Sequence, residues 1–298
     1  MSQGFALIGP GRVGAAIGKA LYRQGWHPVS IIGRHLATTR DACDFIGCPS
    51  TLATTKISAA GKAGLILLAV PDDSIAATAR QLQQLQIPTP GTVLLHFSGV
   101  HPAAVMRYPN SPTHLFSVHP LLPFADRQQA YEDLRRAPYI GEGDKEARPL
   151  AAELCTALGG QLQAILPHSK QLYHAAACLA SNYFVTLIAE AASLLQDCGI
   201  EPGREEALLL PLLAATLQNV TVSGTGKGLT GPIVRGDIGT IKAHIEALSQ
   251  NHRDLHDLYC LLGNRTALLA KRAGRLEPEE AESIQKLLNK KCFTNNDK

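Results

Sequence analysis

The sequence predicts an α/β protein, with a doubly wound, mostly parallel sheet followed by an all-α domain. Short apolar runs alternate with helical patterns through the first half of the chain, the rhythm of βαβ units with helices on both sheet faces. After Pro167 the pattern becomes almost wholly helical. The length of 298 residues suits about two domains. The expected division is therefore a nucleotide-binding domain over residues 1–166 and a helical substrate and dimerisation domain over 167–298.

The elements follow in order. Residues 5–8 read as a strand, and 12–23 as a helix that turns Val13, Ala16, Ile17, Ala20 and Leu21 inward and stops at Gly25. A strand at 29–32 and a helix at 37–46 follow. Residues 65–70 are continuously apolar, as expected of a strand buried on both faces. Asp72 or Asp73 is expected to cap the next helix, which runs through Leu85. Further strands are expected at 93–97, 116–119, 139–142 and 161–165, with a helix at 146–158. The helical half is expected to hold helices at 169–198, 205–222, 237–249, 254–273 and 278–289. Pro211 should kink or start the second of these, Pro278 suits the first position of the last, and 223–236 reads as a glycine-rich loop. The residues after the last helix read as a loose tail.

Composition narrows the function. Lys plus Arg number 28 and Asp plus Glu 25, for a net charge of +3, which gives no basis for nucleic-acid binding or a polybasic membrane contact. A hydrophobic share of 45% excludes disorder over most of the chain. The seven cysteines are odd in number and include no CxxC pair, so neither a metal site nor a disulfide scaffold is expected. The first residues lack the charged and apolar regions of a signal peptide. The longest apolar segment, 175–195, contains Ser181, Asn182 and Glu190 and reads as a buried helix, not a membrane span. Cytoplasm is the expected location.

Gly9-Pro10-Gly11-Arg12-Val13-Gly14 fits G-x-G-x-x-G, placed after a strand and opening an amphipathic helix. The first glycine permits the tight turn. The second lets a pyrophosphate approach the backbone at the positive helix end, and the third lets helix and strand pack closely. The second strand ends in Gly33-Arg34, where an NAD site usually places Asp or Glu on the ribose hydroxyls. A guanidinium in that place matches a phosphate, so the expected cofactor is NADP. Val70, Pro71 and Asp72 should wall the cofactor beyond the fourth strand. Ser98 and the Gly99 amide could bind a substrate carboxylate. His96 and His119 are open between a polar contact and a hydrogen-bonded structural role.

Lys170 falls in the first turn of the long helix, and His174 lies about 40° from it around the axis. A cation there is disfavoured by the helix dipole, which should lower its pKa and suit a proton donor. Asn182, Asn219 and Arg235 are further substrate contacts, with Arg235 able to grip an anion bidentately. Asp237 could cap the next helix. The string GTGKG at 224–228 is not a phosphate loop, because Thr221 and Gly228 break the pattern and no strand precedes it.

The strings GPGRVG, AVPDDSI, HFSG, HPLLPF, KQLYHAAACLASNY and LTGPIVRGD followed by His244 together resemble a known family. It comprises Rossmann-like oxidoreductases whose helical C-terminal domain is a domain of unknown function. The resemblance covers nearly the whole chain. It implies a six-phosphogluconate-dehydrogenase-like C-terminal domain, NADP-linked chemistry, and kinship with ketopantoate reductase, pyrroline-carboxylate reductase and β-hydroxyacid dehydrogenases. Those relatives often pair a catalytic lysine at the start of the long helix with an asparagine four residues later. Lys170 matches the lysine, whereas the later position is His174, which leaves Asn182 or Asn219 to take the asparagine's part.

The expected activity is NADPH-dependent reduction of a small anionic carbonyl acid, such as a ketopantoate-like 2-keto acid, in a homodimer. Lys170, helped by His174, would protonate the carbonyl oxygen. The alternatives are an imine reductase of the pyrroline-carboxylate type, in which Lys170 matters little, and a non-catalytic NADP-binding sensor. With Lys170 at the mouth of a cleft, Lys170→Met is expected to leave stability nearly unchanged.

Overall fold

A computed structural model describes residues 4–109, 111–124 and 126–292. The expected tail after the last helix lies outside the described residues. The chain divides into two compact units, Met1–Tyr183 and Phe184–Lys298. The helix that begins at Lys170 therefore belongs with the sheet, although the helical character of the sequence begins near Pro167.

In the first unit, β1 (Gly4–Ile8), α1 (Arg12–Arg23), β2 (His27–Ile32), α2 (Leu36–Ile46), β3 (Ala53–Thr54), β4 (Leu65–Leu68), α3 (Asp72–Gln84) and β5 (Val93–His96) build the alternating half. β6 (His114–Pro120), α4 (Arg127–Asp133), β7 (Tyr139–Gly143), α5 (Arg148–Ala157), β8 (Leu162–Ala164) and α6 (Lys170–Ala180) complete it. The strands form one sheet in the order β3-β2-β1-β4-β5-β6-β7-β8. Neighbours run parallel, apart from β6 and β7, which pair antiparallel. The order reverses between β1 and β4, and in open α/β sheets ligands bind beyond the carboxyl ends of the strands at such a reversal.

Alternate residues of a strand face opposite sides of the sheet. Phe5 and Leu7 accordingly join Ala16, Ile17 and Leu21 of α1 and Ile46 of α2 in one core. Ala6 and Ile8 join Ile75, Ala79 and Leu82 of α3 in the other. Both faces of β1 and β4 are covered, which is why these strands read as continuous apolar runs. The N-cap of α3 is Pro71, and neither Asp72 nor Asp73 caps it. The fixed proline φ starts the helix one residue early and moves both carboxylates into the first turn, where the dipole still favours them.

Two expectations about the helical half are corrected. The helix expected at 169–198 is broken at Ser181 (φ −120, ψ −70), and α7 (Asn182–Asp197) begins at once. Ser and Asn both compete with helical backbone hydrogen bonding, and here they stand side by side at the break. Nor is this segment buried within the chain: Leu179 and Val185 are each 64% exposed. Stretches 167–197 and 205–228 are long and apolar enough to cross a membrane by length and composition.

In the second unit, α8 (Glu205–Gly228) continues through Pro211. It breaks instead at Gly224 (φ 72, ψ 170), a backbone conformation that glycine takes at little cost. The glycine-rich loop expected from Ser223 is thus helical as far as Gly228. α9 (Ile238–Asn251), α10 (Arg253–Arg272) and α11 (Pro278–Cys292) follow. They share a core of Ile241, Ile245, Ala267, Ala270, Ile284 and Leu288. Asp237 caps α9 by accepting from Thr240 N at 3.0 Å. Cys260 of α10 is in a disulfide, which the cysteine spacing did not predict.

Candidate active site

The glycine turn between β1 and α1 is built as its sequence demands. Gly9 has φ +88, and a Cβ there would meet the Ala69 carbonyl oxygen at 2.7 Å. A Cβ on Gly14 would run into the Gly9 carbonyl oxygen and stand 2.9 Å from Ala69 Cβ. The turn after β1 and the turn after β4 are therefore in backbone contact. A Cβ on Gly11 would meet nothing within 4 Å, so its backbone can be approached from outside. Gly11 is also the N-cap of α1, with no side-chain cap and no acidic residue in the first turn. Arg12 is exposed and Val13 packs on the core.

Gly33, at the end of β2, lies with its α-carbon against Thr39 Oγ1 and Pro10, the latter at 3.5 Å from a Cβ built there. This contact brings the Arg34 segment to the glycine turn, and Arg34 is exposed beside it. Val70 is half-buried, while Pro71 and Asp72 are exposed at the head of α3. A backbone open to a pyrophosphate, with the Arg34 segment beside it, fits a dinucleotide.

A second cluster stands on the same side of the sheet order. His96 of β5 lies opposite Ser117 of β6, and Ser117 opposite Glu142 of β7. Residues directly opposite share a sheet face, so three polar side chains form one row, and all are buried. His96 is structural: Ser98 N donates to its Nδ1 at 3.1 Å, and its Nε2 lies 3.3 Å from Pro102 O. Burial pushes its pKa down to about 3. Ser117 Oγ donates to Ser98 O at 3.5 Å. Glu142 accepts from Ala103 N at 2.6 Å, and burial raises its pKa.

Lys170 opens α6 with its side chain 0% exposed, and its Nζ has no hydrogen-bond partner. Burial lowers its pKa to about 8, opposed by the charges of Glu142 and Asp72. The cause is thus desolvation, where the sequence pointed to the helix dipole. One turn on, Tyr173 and His174 face the same cluster. The Lys170 ammonium is 5.7 Å from the Tyr173 ring centre, and the Tyr173 hydroxyl is 2.7 Å from His119 Nδ1. The pKa of His119 is pushed down to about 4 by burial, with the Lys170 charge and His174 adding to it. The His119 and His174 rings meet edge to face with centroids 6.1 Å apart.

Gly99 lies under both imidazoles, and Ser98 Oγ accepts from Val100 N and His101 N. Asn182 is exposed at the start of α7. Asn219 and Arg235 belong to the second unit, both exposed, with Arg235 4.0 Å from Asp237. The first unit thus assembles Lys170, His174, Ser98 and Gly99. The sequence reading missed Glu142 and Tyr173. The lone carboxylate in an apolar strand was a signal for the first, and the i+3 spacing from Lys170 a signal for the second.

Two family models match the chain: a Rossmann-like domain over residues 3–113 and the domain of unknown function DUF2520 over 137–266. The chain pairs a Rossmann-like domain with a DUF2520 domain. No curated protein sequence matches it. Among solved structures, a protein of Thermotoga maritima is similar at 21% identity and a TM-score of 0.71, covering 90% of this chain and 98% of that one. A provisionally assigned NADP oxidoreductase of Bacteroides fragilis is similar at 22% identity and 0.69, covering 89% and 98%. A pyrroline-5-carboxylate reductase of Coxiella burnetii follows at 16% identity and 0.55, covering 91% and 100%. At these identities the likeness establishes the fold alone. The Rossmann-like DUF2520 chain carries its glycine turn in the first model, while Glu142, Lys170 and His174 fall in the second.

Proposed function

We propose that this protein is a cytoplasmic NADPH-dependent reductase of a small carbonyl acid, with Lys170 as the proton donor. The observation that carries the proposal is the Lys170 ammonium, fully buried without a hydrogen-bond partner. A buried charge is costly unless something pairs with it, and the oxygen of a carbonyl becomes anionic as hydride reaches its carbon. Gly9, Pro10, Gly11, Arg12, Val13 and Gly14 would hold the pyrophosphate, Arg34 the ribose phosphate, and Val70, Pro71 and Asp72 the facing wall. The dinucleotide, when bound, supplies the hydride.

Lys170 Nζ holds the proton. With a pKa of about 8 it is charged at neutral pH yet gives up the proton readily, the balance a general acid needs. Ser98, Gly99 and His174 belong to the same unit as Lys170, and Asn182, Asn219 and Arg235 are the candidate orienting contacts from the helical half. A panel of 2-keto acids, cyclic imines and 2-hydroxy acids, read by NADPH absorbance, tests the reading. Keto-acid turnover that falls about 10²–10⁴-fold in Lys170→Met supports it. Turnover confined to cyclic imines and indifferent to Lys170 would move the assignment to imine reduction, the activity in the name of the Coxiella burnetii neighbour. Tight NADPH binding without any turnover would leave a sensor module.

The same reading includes a homodimer. Leu172 on α6, Val185 on α7 and Leu217 on α8 are 76%, 64% and 66% exposed, and apolar surface on this scale marks an interaction face.

A further inference from the structure

We propose that His119 and His174 form a paired-imidazole subsite that holds the anionic group of the substrate, with Tyr173 and Cys178 fixing the two rings from behind. The proposal rests on the reductase reading and says where that substrate's carboxylate is gripped. Both Nε2 atoms lie close over Gly99. A Cβ built there would lie 3.0 Å from His174 Nε2 and 3.1 Å from His119 Nε2. Only a residue without a side chain lets both rings settle over this backbone.

The opposite nitrogens are engaged. Tyr173 OH is 2.7 Å from His119 Nδ1, and burial keeps that phenol neutral, its pKa pushed up to about 12. In this scheme it donates to His119 Nδ1, which leaves the His119 proton on Nε2. Cys178 Sγ is 3.8 Å from His174 Nδ1, one turn along α6. In the same scheme a thiol donating there puts the His174 proton on Nε2 as well.

The two Nε2 atoms thus stand together over Gly99, and the charge of the buried Lys170 ammonium depresses the His119 pKa. Three donors call for an anion. Glu142, the buried carboxylate of the neighbouring row, accepts from Ala103 N, and its charge acts on Lys170 rather than on His119. Ser98, the earlier candidate for the carboxylate, accepts two backbone N–H groups through Oγ. Tyr173 and Cys178 are positioning residues in this scheme, since they act through the rings.

The test uses the full-length protein, labelled with nitrogen-15 in its histidines and saturated with NADP. Long-range nitrogen–proton spectra report the tautomer of each ring. His119 is expected with its proton on Nε2, and Tyr173→Phe is expected to release it into a mixture. A native His119 protonated at Nδ1 alone overturns the proposal. Pyruvate is then titrated against pyruvamide, a neutral molecule of the same shape. Pyruvate should shift both Nε2 signals and bind about 10–100-fold more tightly, the scale of a hydrogen bond to a charged group. His119→Phe should bring the two ligands within a few-fold, and Tyr173→Phe should narrow the gap if the first variant does not fold. Equal binding of the two ligands, or no binding of pyruvate, overturns the proposal. An undiminished pyruvate preference in the variants discards the imidazole pair and leaves the reductase reading standing. An imidazole response to pyruvate without NADPH oxidation on any substrate keeps the pair and removes that reading.

Discussion

Replacing Lys170 with methionine should make the first unit more stable at neutral pH while damaging its chemistry. The native side chain is fully buried with no partner for its ammonium, and its pKa falls from 10.5 to about 8. At about 1.4 kcal/mol per pH unit, that fall amounts to a cost of about 3 kcal/mol for keeping the charge in the folded state. Below pH 8 the lysine is charged both folded and unfolded, and the whole cost weighs against folding. Between pH 8 and 10.5 the unfolded chain binds more protons than the folded one, so native stability rises with pH. Above 10.5 the cost is gone. Methionine fills a similar volume without a charge, so Lys170→Met should gain about 3 kcal/mol at pH 7, and the gain should shrink steadily toward pH 10.5. Full burial thus replaces the near-neutral effect expected of a cleft-facing lysine. The single tryptophan, Trp26, is buried in the first unit and reports its unfolding by fluorescence. In urea the midpoint should rise by roughly 1–3 M at pH 7. A midpoint that is unchanged or lowered at pH 7, or a gain that persists undiminished at pH 10.5, would refute the reasoning.

Arg34→Asp should weaken NADPH binding and narrow its advantage over NADH; calorimetry giving equal affinities for both in the native protein removes the phosphate role of Arg34. Gly14→Ala forces a Cβ into the Gly9 carbonyl oxygen and to 2.9 Å from Ala69 Cβ, and should cost about 1–3 kcal/mol of stability together with NADPH affinity. Urea midpoints and calorimetry check both effects, and a native-like Gly14→Ala protein contradicts the close packing of the turn. Light scattering at micromolar concentration should report a dimer, and Leu217→Glu should shift it toward monomer without loss of helical circular dichroism. A monomeric native protein is the contrary result.

Local patterns determined much of this protein. The alternation of apolar runs and amphipathic stretches placed most strands and helices of the first half within a residue or two, because periods of 2.0 and 3.6 are properties of neighbouring residues, but it missed the short β3 and α4. The bounds of α1 are those read from Val13, Ala16, Ile17, Ala20 and Leu21, and the glycine spacing located the turn between β1 and α1. Lys170 and His174 were legible together because one helical turn separates them. What the sequence could not decide depended on contacts between distant residues. The antiparallel entry of β7 puts Glu142 beside Ser117 and His96, and no local period encodes that register. The break at Ser181 set against the continuity of α8 through Pro211 was a contest between propensity and packing, and packing is not local. The dipole argument gave the direction of the Lys170 shift, but its main cause is burial. Burial is a property of the folded unit, since desolvation depends on every group that closes around the ammonium and on none of its neighbours in sequence alone.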